Sequence, residues 1–218
     1  MGPAATRRRA ATPVQPGRPL GELGLSPGRS SGRGPTIGVL AIQGDFEAHA
    51  RVLERLGGEP RSVRAREDLD GLAGLVIPGG ESTTMTIGIE REGLAEPLHE
   101  LIRSGTPTLG TCAGLIMLDR EHLGLLDITA RRNAFGRQLQ SFESDLELEG
   151  FGSLRAVFIR APWVEEAGTG VEVLAEVDGH PVAVREGDVI AVAFHPELTD
   201  EVGLHRWLVE RSNGGGGR

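Results

Sequence analysis

The sequence contains no lysine, so all 23 of its basic residues are arginine. A phosphate-binding loop of the Walker A type needs a lysine, and so does a Schiff base between a protein amine and a carbonyl group. Arginine stays protonated and does not act as an amine nucleophile. The chain therefore performs neither of these chemistries by itself.

Cysteine is almost as scarce, since Cys112 is the only one in 218 residues. A single thiol excludes an internal disulfide framework and a zinc site built from several cysteines. It suits a reducing, cytoplasmic compartment. A lone cysteine is by itself most often a small buried apolar residue, so a chemical role for Cys112 needs support from its surroundings.

Long apolar runs and an excess of positive charge are also lacking. No apolar run approaches the roughly 20 residues that a membrane helix requires, so we expect no membrane partner. The formal net charge of -8 argues against a surface that binds nucleic acid. Apolar content of 39% and charged content of 25% are typical of a globular protein with one substantial core.

The charge is unevenly distributed along the chain. Residues 1–35 contain six arginines and a single acid, Glu22, with six prolines among glycine and serine. Such a segment cannot bury enough apolar surface to fold, which predicts a disordered basic tail. An organellar targeting segment and a wrongly assigned start site are alternatives. We assign residues 36–211 to one folded domain and the glycine-rich residues 212–218 to a flexible end.

Apolar strands alternate with helical segments through the first half. Short continuous apolar runs predict buried strands at residues 36–42, 73–78 and 106–111. Asp45 is placed to cap a helix that Gly57 ends. Further helices are predicted over the region of residues 94–102 and, shorter, at residues 114–119. The alternation predicts an α/β fold with a mainly parallel open sheet flanked by helices.

The second half has a different pattern. Five strands are predicted, at residues 146–149, 154–159, 171–177, 181–184 and 189–194. Asp178 and Gly179 supply a hairpin turn between two of them. We expect an antiparallel extension of the sheet rather than a separate domain. A final amphipathic helix is predicted to begin near Asp200.

Cys112 lies at the centre of a G-x-C-x-G motif, residues 110–114, between an apolar strand and a helix. This is the cysteine form of the nucleophile elbow, a sharp turn that small residues permit. It would project the thiol above the carboxyl edge of the sheet, where open α/β sheets bind ligands. The helix N-terminus would favour the thiolate and direct amide N–H groups at the reacting atom. A buried cysteine in a tight turn is the alternative.

His195 and Glu197 follow another apolar strand, within a Phe-His-Pro-Glu sequence. Side chains alternate along extended chain, so the two would project from the same side. The carboxylate can then fix one imidazole tautomer while the other ring nitrogen faces the thiol. We therefore predict a catalytic triad of Cys112, His195 and Glu197. The other histidines are less well placed, in helices, in a connection or after a turn: His49, His99, His122, His180 and His205.

A glycine-rich loop, residues 79–84, follows a parallel strand at the same sheet edge. It lacks the spacing of a dinucleotide fingerprint. An N–H near Gly80 and the N–H of Ala113 could instead hold an oxyanion. A plain strand-to-helix turn is the alternative for this loop.

Several sequence blocks together resemble the class I glutamine amidotransferases, and more closely the glutaminase subunit of pyridoxal 5'-phosphate synthase. The blocks are Ile-Gly-Val-Leu-Ala-Ile-Gln-Gly at 37–44, Pro-Gly-Gly-Glu-Ser-Thr-Thr-Met at 78–85, Gly-Thr-Cys-Ala-Gly-Leu-Ile at 110–116, Arg-Asn-Ala-Phe-Gly-Arg-Gln at 132–138 with Ser-Phe-Glu at 141–143, Phe-Ile-Arg-Ala-Pro at 158–162, and Phe-His-Pro-Glu-Leu-Thr at 194–199. The similarity covers residues 36–210, which makes residues 36–211 a glutaminase domain. The blocks at 132–138 and 158–162 set this family apart within the class.

The resemblance implies hydrolysis of L-glutamine to L-glutamate and ammonia, with the ammonia passed to a (β/α)8-barrel synthase subunit that makes pyridoxal 5'-phosphate. We expect no cofactor and no metal on this chain, and a cytoplasmic location. The absence of lysine agrees, because carbonyl chemistry then belongs to the partner. By family analogy glutamine contacts Gly80, Glu81, Ser82, Arg132, Ile159 and Arg160, and Gly80 and Ala113 supply the oxyanion N–H groups. An arginine is a suitable partner for the α-carboxylate of glutamine.

One segment departs from the family pattern. Only residues 118–122 separate Met117 from Leu123, a shorter connection than the family predicts. Because the segment follows the nucleophile helix, its length bears on docking or stability.

Three alternatives to this assignment remain. The first is the glutaminase of another amidotransferase, such as imidazole glycerol phosphate synthase, although the blocks at 132–138 and 158–162 favour the vitamin B6 pathway. The second is a non-catalytic binding subunit, whose expected mark is a lost cysteine, histidine or glutamate. The third is a cysteine hydrolase of related architecture with other substrates, against which the His-Pro-Glu sequence on a late strand counts.

Overall fold

The structure is a computed structural model that describes residues 34–44, 46–136 and 141–214. Several sequence predictions lie outside these ranges. They are the basic tail up to residue 33, the capping role of Asp45, the Arg-Gln pair at 137–138, and the terminal residues 215–218. The predicted domain limits stay predictions, but the last helix continues to Gly214, beyond the residue 211 at which the sequence placed the domain end.

Strands and helices alternate through the first half, as predicted. The elements are β1 (Thr36–Leu40), α1 (Phe46–Arg55), β2 (Glu59–Val63), β3 (Gly74–Ile77), α2 (Ser82–Arg91), α3 (Ala95–Arg103), β4 (Thr108–Thr111) and α4 (Ala113–Leu118). All residues of β3 and β4 are buried, which explains their continuous apolar or small sequences. The apolar pattern does not predict β2, whose sequence is polar and contains Pro60. Such a strand is tolerated because it lies at the edge of the sheet.

The second half is mostly strand. Its elements are β5 (Ile128–Arg131), β6 (Ser141–Leu148), β7 (Gly152–Ile159), β8 (Trp163–Ala167), β9 (Glu172–Val177), β10 (His180–Glu186), β11 (Val189–Val192) and α5 (Gly203–Gly214). The predicted hairpin between β9 and β10 is confirmed, with positive φ at both Asp178 (52°) and Gly179 (77°). The helix predicted to begin near Asp200 begins at Gly203.

The main sheet has seven strands in the order β2-β1-β3-β4-β11-β10-β9. The first five are parallel, and β10 and β9 add an antiparallel edge. The predicted fold class is therefore confirmed. The predicted antiparallel extension is right only for β9 and β10, because β6 pairs with β7 and β5 with β8 in separate two-stranded ribbons.

Helices cover both faces of the main sheet. The side chain of Thr111 meets α1, where its Oγ1 lies 3.1 Å from Nε2 of His49. A β-carbon on the preceding residue, Gly110, would instead contact Leu118 of α4. Successive residues of a strand face opposite sides, so α1 and α4 lie on opposite faces. Helix α5 packs beside α1, and α2 packs beside α4.

The short connection after α4 is closed by Asp119, whose side chain is buried. Its carboxylate accepts hydrogen bonds from the N–H groups of Glu121 (2.9 Å), His122 (3.1 Å) and Ala130 (3.3 Å). Its Oδ1 also lies 2.7 Å from Nδ1 of His122. One buried carboxylate thus ties the connection after α4 to β5 of the β5–β8 ribbon.

Candidate active site

Cys112 occupies the turn between β4 and α4. Its backbone has φ 48° and ψ -105°, a conformation that residues other than glycine rarely adopt. The turn is held by hydrogen bonds from Cys112 N–H to the Val192 carbonyl (2.8 Å) and from Leu115 N–H to the Cys112 carbonyl (3.1 Å). Strain at a single residue that the surrounding structure enforces is typical of a nucleophile elbow. The predicted elbow geometry is present.

Glycine is required at two positions around this turn. A β-carbon on Gly114 would overlap the backbone oxygen of Ile77 at the end of β3. A β-carbon on Gly79 would lie 2.5 Å from Cε1 of His195 and 3.3 Å from Cβ of Cys112. These glycines therefore let the β3 loop and the elbow approach the histidine.

The pairing of β11 with β4 brings His195 to the cysteine. The two strands are parallel, with Val192 opposite Thr111, so their carboxyl ends meet at the same sheet edge. The N–H of His195 donates to the Val157 carbonyl at 2.9 Å, which fixes the backbone after β11. On one side the imidazole interacts with the Cys112 side chain, which helps to raise the pKa of His195. On the other side, its Nδ1 lies 2.6 Å from Oε1 of Glu197.

The backbone that carries Glu197 differs from the sequence expectation. Strand β11 ends at Val192, and Glu197 lies in a single 3-10 turn, Pro196–Leu198, rather than on extended chain. Pro196 has no N–H to donate and a fixed φ, so it begins the turn instead of continuing the strand. His195 and Glu197 are still in contact. The 3-10 turn brings them together, and not the alternation of side chains along a strand.

His195 is held in its charged form by its two neighbours. Burial by itself would lower the pKa of the imidazole, but the hydrogen bonds to Cys112 and Glu197, with the charges of both, raise it to about 10. The side chain of His195 is 12% exposed and that of Glu197 is fully buried. The charged imidazole can therefore give a proton to a leaving group that forms at the thiol.

Cys112 and His195 line a pocket of about 280 Å³ that opens at the carboxyl edge of the sheet, and Glu197 lies buried behind His195. All six residues predicted to contact glutamine line it, and so does Ala113. Gln43, Asn133, Ile116 and Pro162 line it as well, and the sequence prediction missed them. For Gln43 a usable signal existed, because it follows β1 at the same edge at which β3 and β4 end. A pocket of this size suits a small molecule such as an amino acid.

Glu81 organises the rim of this pocket. Its carboxylate accepts from Thr83 N–H at 3.1 Å and from Thr84 N–H at 2.7 Å, and so caps α2. Hydrogen bonds from the Thr84 hydroxyl, the Thr84 N–H and the Thr83 N–H lower the pKa of Glu81 to about 2. Arg132 reaches the same carboxylate at 3.0 Å. The N–H of Glu81 donates to Oε1 of Gln43 at 2.5 Å, which connects the rim to the end of β1.

The opposite wall is formed by the end of β7. The Ile159 carbonyl lies 3.8 Å from Sγ of Cys112 and can accept a weak hydrogen bond from the thiol. The next residue, Arg160, has a positive φ of 44° and lines the pocket. This strand end therefore places a backbone acceptor near the thiol and an arginine at the pocket.

Neither a metal centre nor a membrane segment is evident in the parts of the chain that the structure covers. Within residues 34–44, 46–136 and 141–214, no group of three or more His, Cys, Asp or Glu side chains could hold a metal ion. No helix in the same ranges has the length and apolar composition needed to cross a membrane.

Comparison with known proteins gives concordant matches. Residues 39–213 match the model of the SNO glutamine amidotransferase family. A pyridoxal 5'-phosphate synthase subunit PdxT from Mycobacteroides abscessus is 50% identical over 191 residues, which cover 83% of this chain and 99% of the relative. The protein of the same name from Thermus thermophilus is 51% identical over 183 residues, covering 80% and 96%.

Solved structures agree with these relatives. A crystal structure of a glutamine amidotransferase is 47% identical and has a TM-score of 0.77, covering 81% of this chain and 98% of that chain. The structure of PurLQS from Thermotoga maritima is 20% identical with a TM-score of 0.64, covering 82% and 97%, which indicates a shared fold.

Proposed function

The chain belongs to the SNO glutamine amidotransferase family, and on that premise we propose that it hydrolyses L-glutamine to L-glutamate and ammonia as the glutaminase subunit of a pyridoxal 5'-phosphate synthase. The observation that supports the proposal is that Cys112 and His195 line one pocket of about 280 Å³, with Oε1 of Glu197 2.6 Å from Nδ1 of His195. The pocket has room for an amino acid, and a thiol, a base and an orienting carboxylate are the groups that amide hydrolysis needs.

The first half of the reaction is acylation of the thiol. The Cys112 thiolate attacks the side-chain amide carbon of glutamine, and a carbon–sulfur bond forms. Backbone N–H groups near Gly80 and of Ala113 stabilise the negative charge on the oxygen. The imidazolium of His195 gives its proton to the departing nitrogen, so ammonia leaves and a γ-glutamyl thioester remains.

The second half is hydrolysis of that thioester. His195, now neutral, takes a proton from a water molecule, whose oxygen attacks the thioester carbon. The carbon–sulfur bond breaks, glutamate leaves, and the thiolate with its imidazolium is restored. The contact with Glu197 keeps the proton on Nδ1 of His195, so that the other ring nitrogen exchanges the proton.

Binding of the amino-acid end of glutamine is assigned to the pocket rim. The residues assigned to it all line the pocket, and they are Gly80, Glu81, Ser82, Arg132, Ile159 and Arg160. A guanidinium is the natural partner of the α-carboxylate, and the carboxylate of Glu81 is available to the α-ammonium group. The α-carboxylate and the α-ammonium group of glutamine would thus each meet an opposite charge away from Cys112.

The ammonia is used by a partner in this proposal. The relatives' name, a subunit of pyridoxal 5'-phosphate synthase, favours a synthase subunit of the vitamin B6 pathway, of (β/α)8-barrel fold, over that of imidazole glycerol phosphate synthesis. This chain has no lysine for a Schiff base, so the carbonyl chemistry falls to the partner. A cytoplasmic location suits a catalytic thiol that must stay reduced.

The test measures glutamate release by the full chain, with and without each candidate synthase subunit. We expect release to require or to be stimulated by the pyridoxal 5'-phosphate synthase subunit, and Cys112→Ala to abolish it. Retained activity in Cys112→Ala would disprove the assignment of the nucleophile. Stimulation by the imidazole glycerol phosphate synthase subunit alone would disprove the pathway.

A further inference from the structure

Two buried histidines lie behind the triad and have no part in the proposed reaction. His49 on α1 and His205 on α5 are both 0% exposed. Nδ1 of His49 lies 2.9 Å from Nε2 of His205. Nε2 of His49 lies 3.1 Å from Oγ1 of Thr111 and 3.4 Å from Oε2 of Glu197. The chain of contacts therefore runs from the triad carboxylate into the layer between α1 and α5.

The series of contacts from Glu197 to His205 has, at each end, a polar atom that lacks a hydrogen bond. Among the buried side-chain atoms that the structure describes, Oε2 of Glu197 and Nδ1 of His205 are the two without a hydrogen-bond partner. A buried polar atom left without a partner is costly and needs an explanation. The positions of protons on the two imidazoles supply one.

Both histidines are neutral at neutral pH. Burial, then the nearby His205 and His195, lowers the pKa of His49 well below its usual value. Burial, then the charge of Arg55, lowers the pKa of His205 to about 4. A neutral imidazole has one N–H and one bare nitrogen, so each ring has two possible tautomers.

One arrangement of protons fits the contacts better than the other. With the proton of His49 on Nδ1, its bare Nε2 would face the negatively charged Oε2 of Glu197, and His205 would be left with a buried N–H that has no acceptor. With the proton on Nε2, His49 directs an N–H towards Oε2 of Glu197 and Oγ1 of Thr111. Its bare Nδ1 then accepts from Nε2–H of His205. Nδ1 of His205 is then an unpaired acceptor, and Oε2 of Glu197 has the N–H of His49 at 3.4 Å.

We propose that His49 is a positioning residue of the triad, whose Nε2–H orients the Glu197 carboxylate, and that His205 fixes the tautomer of His49. The proposal rests on the function proposed above. At 3.4 Å the contact of His49 with Glu197 is longer than an ordinary hydrogen bond and acts through electrostatic attraction. It draws one carboxylate oxygen towards α1 and leaves the other, Oε1, aimed at His195.

The effect of His49 is expected in the chemical step. Since His49 is fully buried and does not line the pocket, it does not contact glutamine. Its loss frees the Glu197 carboxylate to rotate, which weakens the imidazolium of His195 and its pairing with the thiolate. Outer partners of this kind change activity by about 10- to 100-fold when removed from the histidines and carboxylates of metal sites. We expect a loss of about tenfold in kcat, with KM for glutamine nearly unchanged.

Two variants of His49 and one control separate positioning from stability. His49→Leu removes the N–H, whereas His49→Gln offers an amide N–H near the position of Nε2. Leu53→Ala is the matched control, because Leu53 lies on the same helix and is fully buried but belongs to the apolar core. Glutamine hydrolysis is measured with the full chain in complex with the synthase subunit. We expect His49→Leu to lose kcat, His49→Gln to recover most of it, and Leu53→Ala to lower Tm alone.

A second measurement needs neither glutamine nor the partner. Because Cys112 is the only cysteine, alkylation of the full chain by iodoacetamide reports on that thiol alone. We expect the pH of half-maximal alkylation to rise in His49→Leu and to return towards the wild-type value in His49→Gln. Long-range proton–nitrogen NMR spectra should show the proton of His49 on Nε2.

Several outcomes would overturn the proposal. One is that His49→Leu keeps the wild-type kcat and the wild-type alkylation profile. Others are that His49→Gln has no higher kcat than His49→Leu, or that Leu53→Ala loses as much kcat as His49→Leu. A proton found on Nδ1 of His49 would also overturn it. If wild-type chain releases no glutamate with any synthase subunit, the proposed function fails instead. The alkylation profile and the NMR spectra would then still decide the role of His49.

Discussion

Nη2 of Arg132 lies 3.0 Å from Oε1 of Glu81, so a cation and an anion of the candidate substrate pocket are paired with each other. The same nitrogen lies 3.0 Å from Oγ1 of Thr83, at the first turn of α2. The carboxylate is thereby shared between the helix N-terminus and the guanidinium. A substrate carboxylate that approaches Arg132 competes with Glu81 for the same N–H groups.

This pairing leads to a prediction for Arg132→Ala. A hydrogen bond to a charged group contributes about 1.5–3 kcal/mol, so we expect KM for glutamine to rise about 10- to 100-fold. The change in kcat should be much smaller, because the contacts of Arg132 are with Glu81 and Thr83 rather than with Cys112 or His195. Steady-state glutaminase kinetics in the complex check this.

Arg155→Ala is the control for the arginine substitution. Arg155 also pairs with a glutamate, at 2.7 Å from Glu143, but it lies on β7 outside the pocket. The Arg155→Ala substitution should therefore leave KM for glutamine unchanged. If Arg132→Ala and Arg155→Ala gave the same KM, the assignment of Arg132 to glutamine binding would be wrong.

A second prediction concerns the glycine that follows the nucleophile. In Gly114→Ala the added methyl would overlap the carbonyl oxygen of Ile77, which β3 holds in place. Overpacking of this kind costs about 1–3 kcal/mol, and here it also displaces the elbow. We expect a lower free energy of unfolding in urea together with loss of glutaminase activity. In the control Gly58→Ala the methyl meets atoms no closer than 3.4 Å, so stability should hardly change. Equal effects of the two substitutions would contradict the steric argument.

The third prediction is acid lability caused by buried His205. Burial, then Arg55, lowers the pKa of His205 from 6.5 to about 4 in the folded chain. Between pH 4 and 6.5, His205 binds a proton in the unfolded state but not in the folded state. Stability is therefore greatest above pH 6.5 and falls as the pH drops towards 4, by about 1.4 kcal/mol per pH unit for one proton.

Substitution of His205 should make this dependence shallower. In His205→Phe the slope of unfolding free energy against pH, measured by urea denaturation between pH 6.5 and 4, should decrease by roughly one proton. His99→Leu, at a partly exposed position on α3, is the control and should keep the wild-type slope. A slope that His205→Phe leaves intact would refute the explanation, whatever the variant's absolute stability.

The sequence predicts much of the site because its signals are local. The glycines around Cys112 are spaced as the elbow requires, and the strand before it is buried throughout. The parallel direction of β1, β3 and β4 follows from strands that alternate with helices. Residues 194–197 predict the base and its partner, although a 3-10 turn and not an extended strand brings them together.

The features of the fold and site that the sequence does not predict depend on contacts between segments that are distant in the chain. His49 has the spacing of a core residue on α1, and its partner His205 is 156 positions away, so no local pattern marks either one. Strands β5 and β8 mix polar and apolar residues, and their pairing with each other, rather than with the main sheet, is decided by packing. Gln43 and Asn133 become pocket residues only when separate loops meet at the sheet edge.

The position of β11 has a consequence for biosynthesis. This strand is inserted between β4 and β10 in the sheet, yet it is the last strand to be translated. A nascent chain that has emerged only as far as β10 has made its cysteine but not His195 or Glu197. The thiol therefore gains its base only after almost the whole domain has left the ribosome. Glutamine hydrolysis by the triad thus cannot begin until nearly all of the domain has been synthesised.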